Sequence, residues 1–407
     1  MKKLFFAISL SCLSSINNAS SNDAVRIYGF LSHQVKFDTY RSLDSRDGEL
    51  YFYPLKAKFD PNGVDLNQKS KLNMVEVQSR VGLRISQENV LGARLTGVLE
   101  TDFLGNHQQF VRMLRIRIAA INLRWQNHEL LIGNHFHPTF VLECFPNTVS
   151  FAAGVPFHPL NRSPQIRYAF HPNDKLNLSL SLLTHGSFRS LGPAEAQKNS
   201  SLPDIQFRLQ HGDGKRQSMG IVAGYKFLTP RDETKLGLNS SKTVGSYNLQ
   251  AYLKQLIGST SIKAEVIYGE NLSHLTMIGG YGALGKPNQI DLNSDYGYSN
   301  MRTISTWLDV EAPISDFSPG LFLGYSANLG SANYYTPLDG YSRNDDLHYI
   351  FRVSPRLNYS HKSLTFGFEW SVVGAAYGLD FNDKRKVTQT ALPTVNNQFI
   401  LSTMYRF

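Results

Sequence analysis

The last ten residues constrain this chain more than any other stretch. Phe399, Leu401, Thr403, Tyr405 and Phe407 alternate there with Gln398, Ile400, Ser402, Met404 and Arg406. A two-residue period of this kind belongs to a strand whose two faces meet different surroundings. Left at the edge of a sheet, such an aromatic-faced strand would template aggregation. Pairing it with the first strand of the chain removes the edge. A strand of about ten residues with one apolar face and an aromatic end is also what the wall of a membrane-spanning barrel requires. Closure of one sheet on itself is therefore the expectation against which the rest of the chain is read.

The alternation starts at Val25, where Val25, Ile27, Leu31, Val35 and Phe37 oppose Arg26, Ser32, Gln34, Lys36 and Asp38. Val75, Val77, Val81, Leu83 and Ile85 are expected to face lipid, with Glu76, Gln78, Arg80 and Arg84 inward. Leu114, Ile116 and Ile118 oppose Arg115, Arg117 and Ala119, and Ile166, Tyr168 and Phe170 oppose Gln165 and Arg167. Leu176, Leu178, Leu180 and Leu182 sit at period two, which excludes a helix. Short turns near 89–92, 125–128, 172–174, 213–214, 258–259, 315–319 and 360–362 are rich in Gly, Asn, Asp, Pro and Ser. They alternate with long connections near 41–72, 134–163, 185–203, 229–243, 271–299, 329–346 and 377–394. Short turns on the periplasmic side and long loops outside are the asymmetry of an outer-membrane barrel. The reading predicts an all-β, closed antiparallel transmembrane barrel of about sixteen strands with a water-filled lumen. A soluble sandwich would need no such loop rhythm, and no run reaches the roughly eighteen apolar residues of a spanning helix.

At the amino end Lys2 and Lys3 precede an apolar segment, Leu4 to Leu13, and small polar residues follow. This is the layout of a secretory signal peptide, expected over 1–21, with the barrel domain over 22–407. The sequence before Cys12 lacks the leucine three positions upstream that lipid attachment uses. Once the leader is removed, Cys144 is alone and an internal disulfide is impossible. The whole chain carries 41 basic and 32 acidic residues, a net +9. The basic residues alternate with apolar ones along strands instead of forming an exposed stripe, so no nucleic-acid partner is expected.

Assigning the polar face of each strand to the lumen places Arg80, Arg84, Arg94, Arg115, Arg117, Arg167, Arg208, Lys226, Lys254, Lys263, Arg352 and Arg356 inside. Glu76, Glu100, Asp102, Glu265 and Glu369 join them. A basic surplus in a narrow channel favours anions. Glu100 and Asp102 are expected beside arginines of neighbouring strands. The connection 134–163 is long and apolar, with Phe136, Phe140, Phe145, Phe151 and Phe157. Folded into the lumen after the fifth strand it would constrict the pore. His135, His137 and His158 fall in this region without a diagnostic spacing, so neither a metal nor a cofactor is expected. Ser273–His274 and Ser360–His361 are adjacent pairs whose side chains diverge on a strand, so an enzyme is not expected either. The three tryptophans are expected at strand ends or facing outward, which argues against an aromatic sugar track. A structural or adhesive barrel whose long loops bind a partner is the alternative to a pore.

The residues in these positions resemble the DcaP-like family of trimeric outer-membrane porins. The matching stretches are Gln78-Ser79-Arg80-Val81-Gly82-Leu83-Arg84, Arg115-Ile116-Arg117-Ile118-Ala119, Gly133-Asn134, Pro146-Asn147-Thr148-Val149-Ser150-Phe151 with Gly154, Pro164-Gln165-Ile166-Arg167-Tyr168 and Gly269-Glu270-Asn271-Leu272. They are dense in the first half of the chain. The resemblance implies a sixteen-stranded homotrimer in the bacterial outer membrane with an arginine-lined constriction, passing small anionic solutes such as dicarboxylates. Arg80, Arg84, Arg115, Arg117 and Arg167 are the positions onto which that role carries. The first strand follows the leader without the coiled-coil extension of some members, and Asn147 and Ser150 stand where acidic residues are common.

Overall fold

The computed structural model describes residues 24–286, 290–291 and 293–407; the expected leader lies outside the described residues. Sixteen antiparallel strands form a closed barrel. They are β1 (Ala24–Asp38), β2 (Arg80–Val90), β3 (Ala93–Asp102), β4 (Arg115–Arg124), β5 (His128–Phe136), β6 (Arg162–Asn173), β7 (Leu176–Leu183) and β8 (Asp204–His211). The ring continues through β9 (Gln217–Leu228), β10 (Val244–Ile257), β11 (Thr260–Glu270), β12 (Tyr298–Glu311), β13 (Phe317–Ser331), β14 (Leu347–His361), β15 (Leu364–Phe381) and β16 (Thr394–Arg406). A short segment, Lys71–Val75, extends β2 along β1.

The first and last strands pair, in the register Phe30↔Arg406 through Asp38↔Gln398. At the end of this seam the Gly29 and Phe407 backbones exchange hydrogen bonds of 3.1 and 3.2 Å. A Cβ at Gly29 would lie 2.2 Å from the Arg80 carbonyl oxygen, so only glycine fits where the seam meets β2. Closure leaves no edge along this seam, which hydrocarbon surroundings demand because no water is there to satisfy a free backbone group.

The outward face carries an apolar belt that includes Leu31, Ile116, Ile166, Leu249 and Leu401, all more than half exposed. Ser32, Gln34 and Lys36 of β1 are buried on the other face. Such a surface suits lipid outside and polar groups inside.

Two bulges alter the parity read from sequence. Gln34 pairs with Val75 but Phe30 pairs with Arg80, so one extra residue lies between the two paired segments. The chain turns at Glu76–Ser79, closed by a 3.0 Å bond from the Ser79 amide to the Glu76 carbonyl. One extra residue reverses every side chain on one side of it. Val75 and Val77 are consequently buried rather than lipid-facing. Glu76 turns outward and pairs with Arg112 at 3.3 Å. In β4 the register slips between Glu100↔Ile118 and Thr101↔Ile116. Arg117 and Ile118 therefore both face the lumen, and the lipid-facing assignment of Ile118 is corrected. Trp307 is corrected as well: it is 2% exposed, pointing inward against His158 and Phe322.

Long connections and short turns alternate as expected, with one further long connection at 103–114. The connection after β1 is not a free polar loop. Its hairpin, Ser42–Ser45 with Leu50–Pro54, turns into the barrel because Leu50-Tyr51-Phe52-Tyr53 is too apolar for water. A buried Lys36–Glu49 ion pair at 3.0 Å and a 2.7 Å bond from the Tyr377 hydroxyl to the Pro54 carbonyl hold it there.

The seam yields a direct test. Leu401 pairs with Val35 in β1 and with Phe368 in β15. Leu401→Pro removes a ladder donor from a strand paired on both sides, where proline is not tolerated, and is expected to prevent the seam from closing. The folded, heat-modifiable band on a cold detergent gel should disappear for Leu401→Pro and persist for Leu401→Ile.

Candidate functional site

The segment 137–161, between β5 and β6, crosses the lumen and docks on the far wall. Val141, Cys144, Val155, Phe157 and His158 are completely buried. The docking is polar as well as apolar. The Asn147 amide donates to Asp309 at 3.1 Å and the Val149 amide to Glu369 at 2.6 Å. Lys263 donates to the Phe145 carbonyl at 2.9 Å, Gln250 to the Thr139 carbonyl at 2.9 Å and Ser305 to the Phe157 carbonyl at 2.9 Å. Buried backbone groups of an irregular segment need such partners, and the inward side chains of β10 to β15 supply them. Gly154 has a φ of +82°, and a Cβ there would come within 3.0 Å of Pro146 and 3.1 Å of Phe322. Phe151 and Ala153, close by, line the open space left beside the segment.

That space lies between the crossing segment and β1 to β4. One cavity of about 770 Å³ is lined by Arg80, Arg84, Glu100, Arg117, Phe136, Pro146, Phe151 and Arg162, and extends to the turn end of the barrel at Ser318, Ser360 and Arg406. A second, of about 440 Å³, shares Arg84, His135 and Phe136 with it and adds Glu143, Arg167 and Arg208.

The predicted charged residues divide into two groups. Arg115 forms a two-toothed ion pair with Asp102 at 2.6 and 3.0 Å, almost fully buried and lining neither cavity. Arg352 pairs with Glu369, and Arg356 with Asp309 at 2.6 Å and Glu311 at 3.0 Å. Arg208 pairs with Glu143 of the crossing segment at 2.8 Å. These arginines neutralise and position carboxylates. Glu100 faces both Arg117, in direct contact, and Arg80 at 3.7 Å. Arg84 and Arg167 are different. Arg84 is exposed to the lumen with no carboxylate within ion-pair distance among the described residues. Among the described residues Arg167 bonds only to the Phe136 carbonyl at 2.8 Å and Gln165 at 2.7 Å. Arg94 sits at the rim beside Glu88.

Sequence reasoning missed Arg162. It follows the crossing segment, before the strand alternation is established, so nothing in the period marked it. Its guanidinium lies 4.5 Å from the Phe136 ring centroid, while Arg117 lies 5.0 Å from the same centroid. Phe136 thus gathers two cations in cation–π contact and stacks on Phe140 at 4.4 Å. Around Glu100 this makes a cluster of Arg80, Arg84, Arg117 and Arg162 facing one cavity.

His135, His137 and His158 do not converge. His158 bonds to Glu265 at 3.0 Å, His137 faces Asp204, and His135 packs against Phe136. Ser273 donates to Asn271 at 2.9 Å, while His274 meets Lys226. Ser360 lies beside Thr365 in the wall.

Two experiments follow from this packing. Arg115→Ala leaves Asp102 buried without its main partner and is expected to cost about 3–5 kcal/mol; urea unfolding of the micellar barrel measures it, and Arg115→Met with Asp102→Leu should recover most of the loss. Burial pushes the Cys144 thiol up to about 12, with Glu265 adding to the effect, and its Sγ lies 3.2 Å from the Leu253 carbonyl. Maleimide should leave Cys144 unlabelled in the folded protein and label it after denaturation.

No family model and no curated protein match the sequence. Solved structures do match the fold. The outer membrane channel DcaP of Acinetobacter baumannii superposes with a TM-score of 0.68 at 15% identity, covering 96% of this chain and 99% of that one. An anion-selective porin from Comamonas acidovorans gives 0.57 at 9% identity, covering 95% and 100%. A trimer form of OmpT of Vibrio cholerae gives 0.56 at 11% identity, covering 95% and 100%. The chain has the sixteen-stranded fold of outer-membrane porins and channels.

Proposed function

We propose that this protein is a bacterial outer-membrane porin, a water-filled channel for passive diffusion of small hydrophilic solutes with a preference for anions such as dicarboxylates. The observation that carries the preference is the set of arginines on one side of the lumen, of which Arg84 and Arg167 have no carboxylate of their own among the described residues. Paired charges contribute little net field, whereas unpaired cations beside a low-dielectric wall attract an anion and repel a cation. The crossing segment, expected over 134–163, acts as the constriction, since it forces solute against those arginines. The leader 1–21 directs export. A homotrimer fits the fold shared with the trimer form of OmpT.

Planar-bilayer recording in a salt gradient tests the reading. Wild-type channels are expected to give an anion-selective reversal potential. Arg84→Glu with Arg167→Glu should lower the anion-to-cation permeability ratio by roughly tenfold, the factor that about 1.4 kcal/mol provides. Channels that conduct with an unchanged potential refute the arginine assignment, and the absence of conductance from folded protein refutes the pore.

A further inference from the structure

At the loop end of the barrel, three connections and the start of one strand bring imidazoles and a carboxylate together on the wall. His137 opens the crossing segment, Asp204 starts β8, and His274 lies in the 3-10 turn Leu272–Leu275 after β11. His185, in the connection after β7, has its ring centroid 5.6 Å from that of His274. The Nε2 atoms of His137 and His274 lie 3.5 and 3.8 Å from the same oxygen, Asp204 Oδ2. His137, Asp204 and His274 are each 2% exposed or less. From the sequence neither His274 nor Asp204 stood near His137, so the cluster exists only in the folded barrel.

The separations are those of ligands around an ion. Tetrahedral zinc bonds of about 2.0–2.1 Å put neighbouring ligand atoms roughly 3.3 Å apart. His137 Nε2 and Asp204 Oδ2 make only a long hydrogen bond at 3.5 Å, against the usual value of about 2.9 Å. Among the described residues His274 Nε2 and His185 Nε2 are buried with no hydrogen-bond partner, the former aimed at Asp204. Outer groups orient the set: Gln206 donates to Asp204 Oδ1 at 2.7 Å, leaving Oδ2 toward the gap, and Thr139 Oγ1 holds His137 Nδ1 at 2.8 Å. These bonds hold His137 and Asp204 with their remaining atoms toward one gap.

We propose that His137, Asp204 and His274, with His185 at the edge, bind a divalent cation of the zinc class. Two or three imidazoles with one carboxylate select zinc, cobalt, nickel or copper over calcium and magnesium, which prefer oxygen. The bound ion ties the start of the crossing segment to the wall and to the connection after β11. Lys226 opposes it: its ammonium lies 2.7 Å from His274 Nδ1 and also donates to Ser190 at 2.9 Å. Its donation to Nδ1 leaves the His274 proton on Nε2, the atom the ion would take, so removal of Lys226 strengthens binding.

Untagged, chelator-stripped protein in detergent micelles, titrated with Zn²⁺ by calorimetry and with Co²⁺ by visible absorption, tests the site. The expected result is about one equivalent per chain, four-coordinate Co²⁺ bands displaced by Zn²⁺, and a thermal midpoint that rises with Zn²⁺ and falls back with chelator. His274→Ala and Asp204→Asn should each weaken binding by about tenfold or more, and Lys226→Met should tighten it. Binding that survives both ligand substitutions unchanged overturns the proposal. Where those variants fail to fold, wild-type protein decides: no Co²⁺ bands and no Zn²⁺-dependent midpoint shift overturn it equally.

Discussion

The pairing of β1 with β16 is the constraint on which the rest depends. In hydrocarbon an unpaired backbone amide or carbonyl costs several kcal/mol, so a sheet crossing it has to close. Closure turns the usual polarity of a protein inside out. Apolar side chains such as Leu31 and Leu401 lie outside, and the interior collects Lys36, Arg80, Glu100, Arg117 and Glu369. The lumen is therefore both a candidate passage and the place where buried charge has to be satisfied.

Those two demands are met by different residues. Carboxylates on β3, β12 and β15 are balanced by arginines one or two strands away, and several also receive a bond from the crossing segment: Asp309 from Asn147 and Glu369 from Val149. The ion pairs thus double as anchors for an irregular segment that would otherwise bury unsatisfied backbone. What remains after this pairing, Arg84, Arg162 and Arg167, lines the cavities. A count of lumen arginines overstates the field available to a solute; subtracting the paired ones locates it.

Much of the wall was legible because the two-residue period reports the environment of each face directly. The alternation in β1, β6, β7 and β16 matches burial nearly residue by residue. It failed at Val75, Val77 and Ile118, where one inserted residue inverts parity, and nothing in a run of apolar residues marks a bulge. It failed at Trp307 because a large aromatic facing a lumen filled by another segment looks the same in sequence as one facing lipid. The inward fold of 137–161 could be read from its length and phenylalanines; the inward hairpin at 42–54 was masked by the charged residues around it.

The sequence by itself determined an all-β closed wall, its long and short links, and which residues carry charge toward the interior, since period and turn composition are local properties. Only the tertiary structure decided which charges cancel, where Arg162 joins Phe136, and that His137, Asp204 and His274 share one spot. Those relations join residues tens to hundreds of positions apart, and it is strand register, bulges and loop docking that set them beside one another.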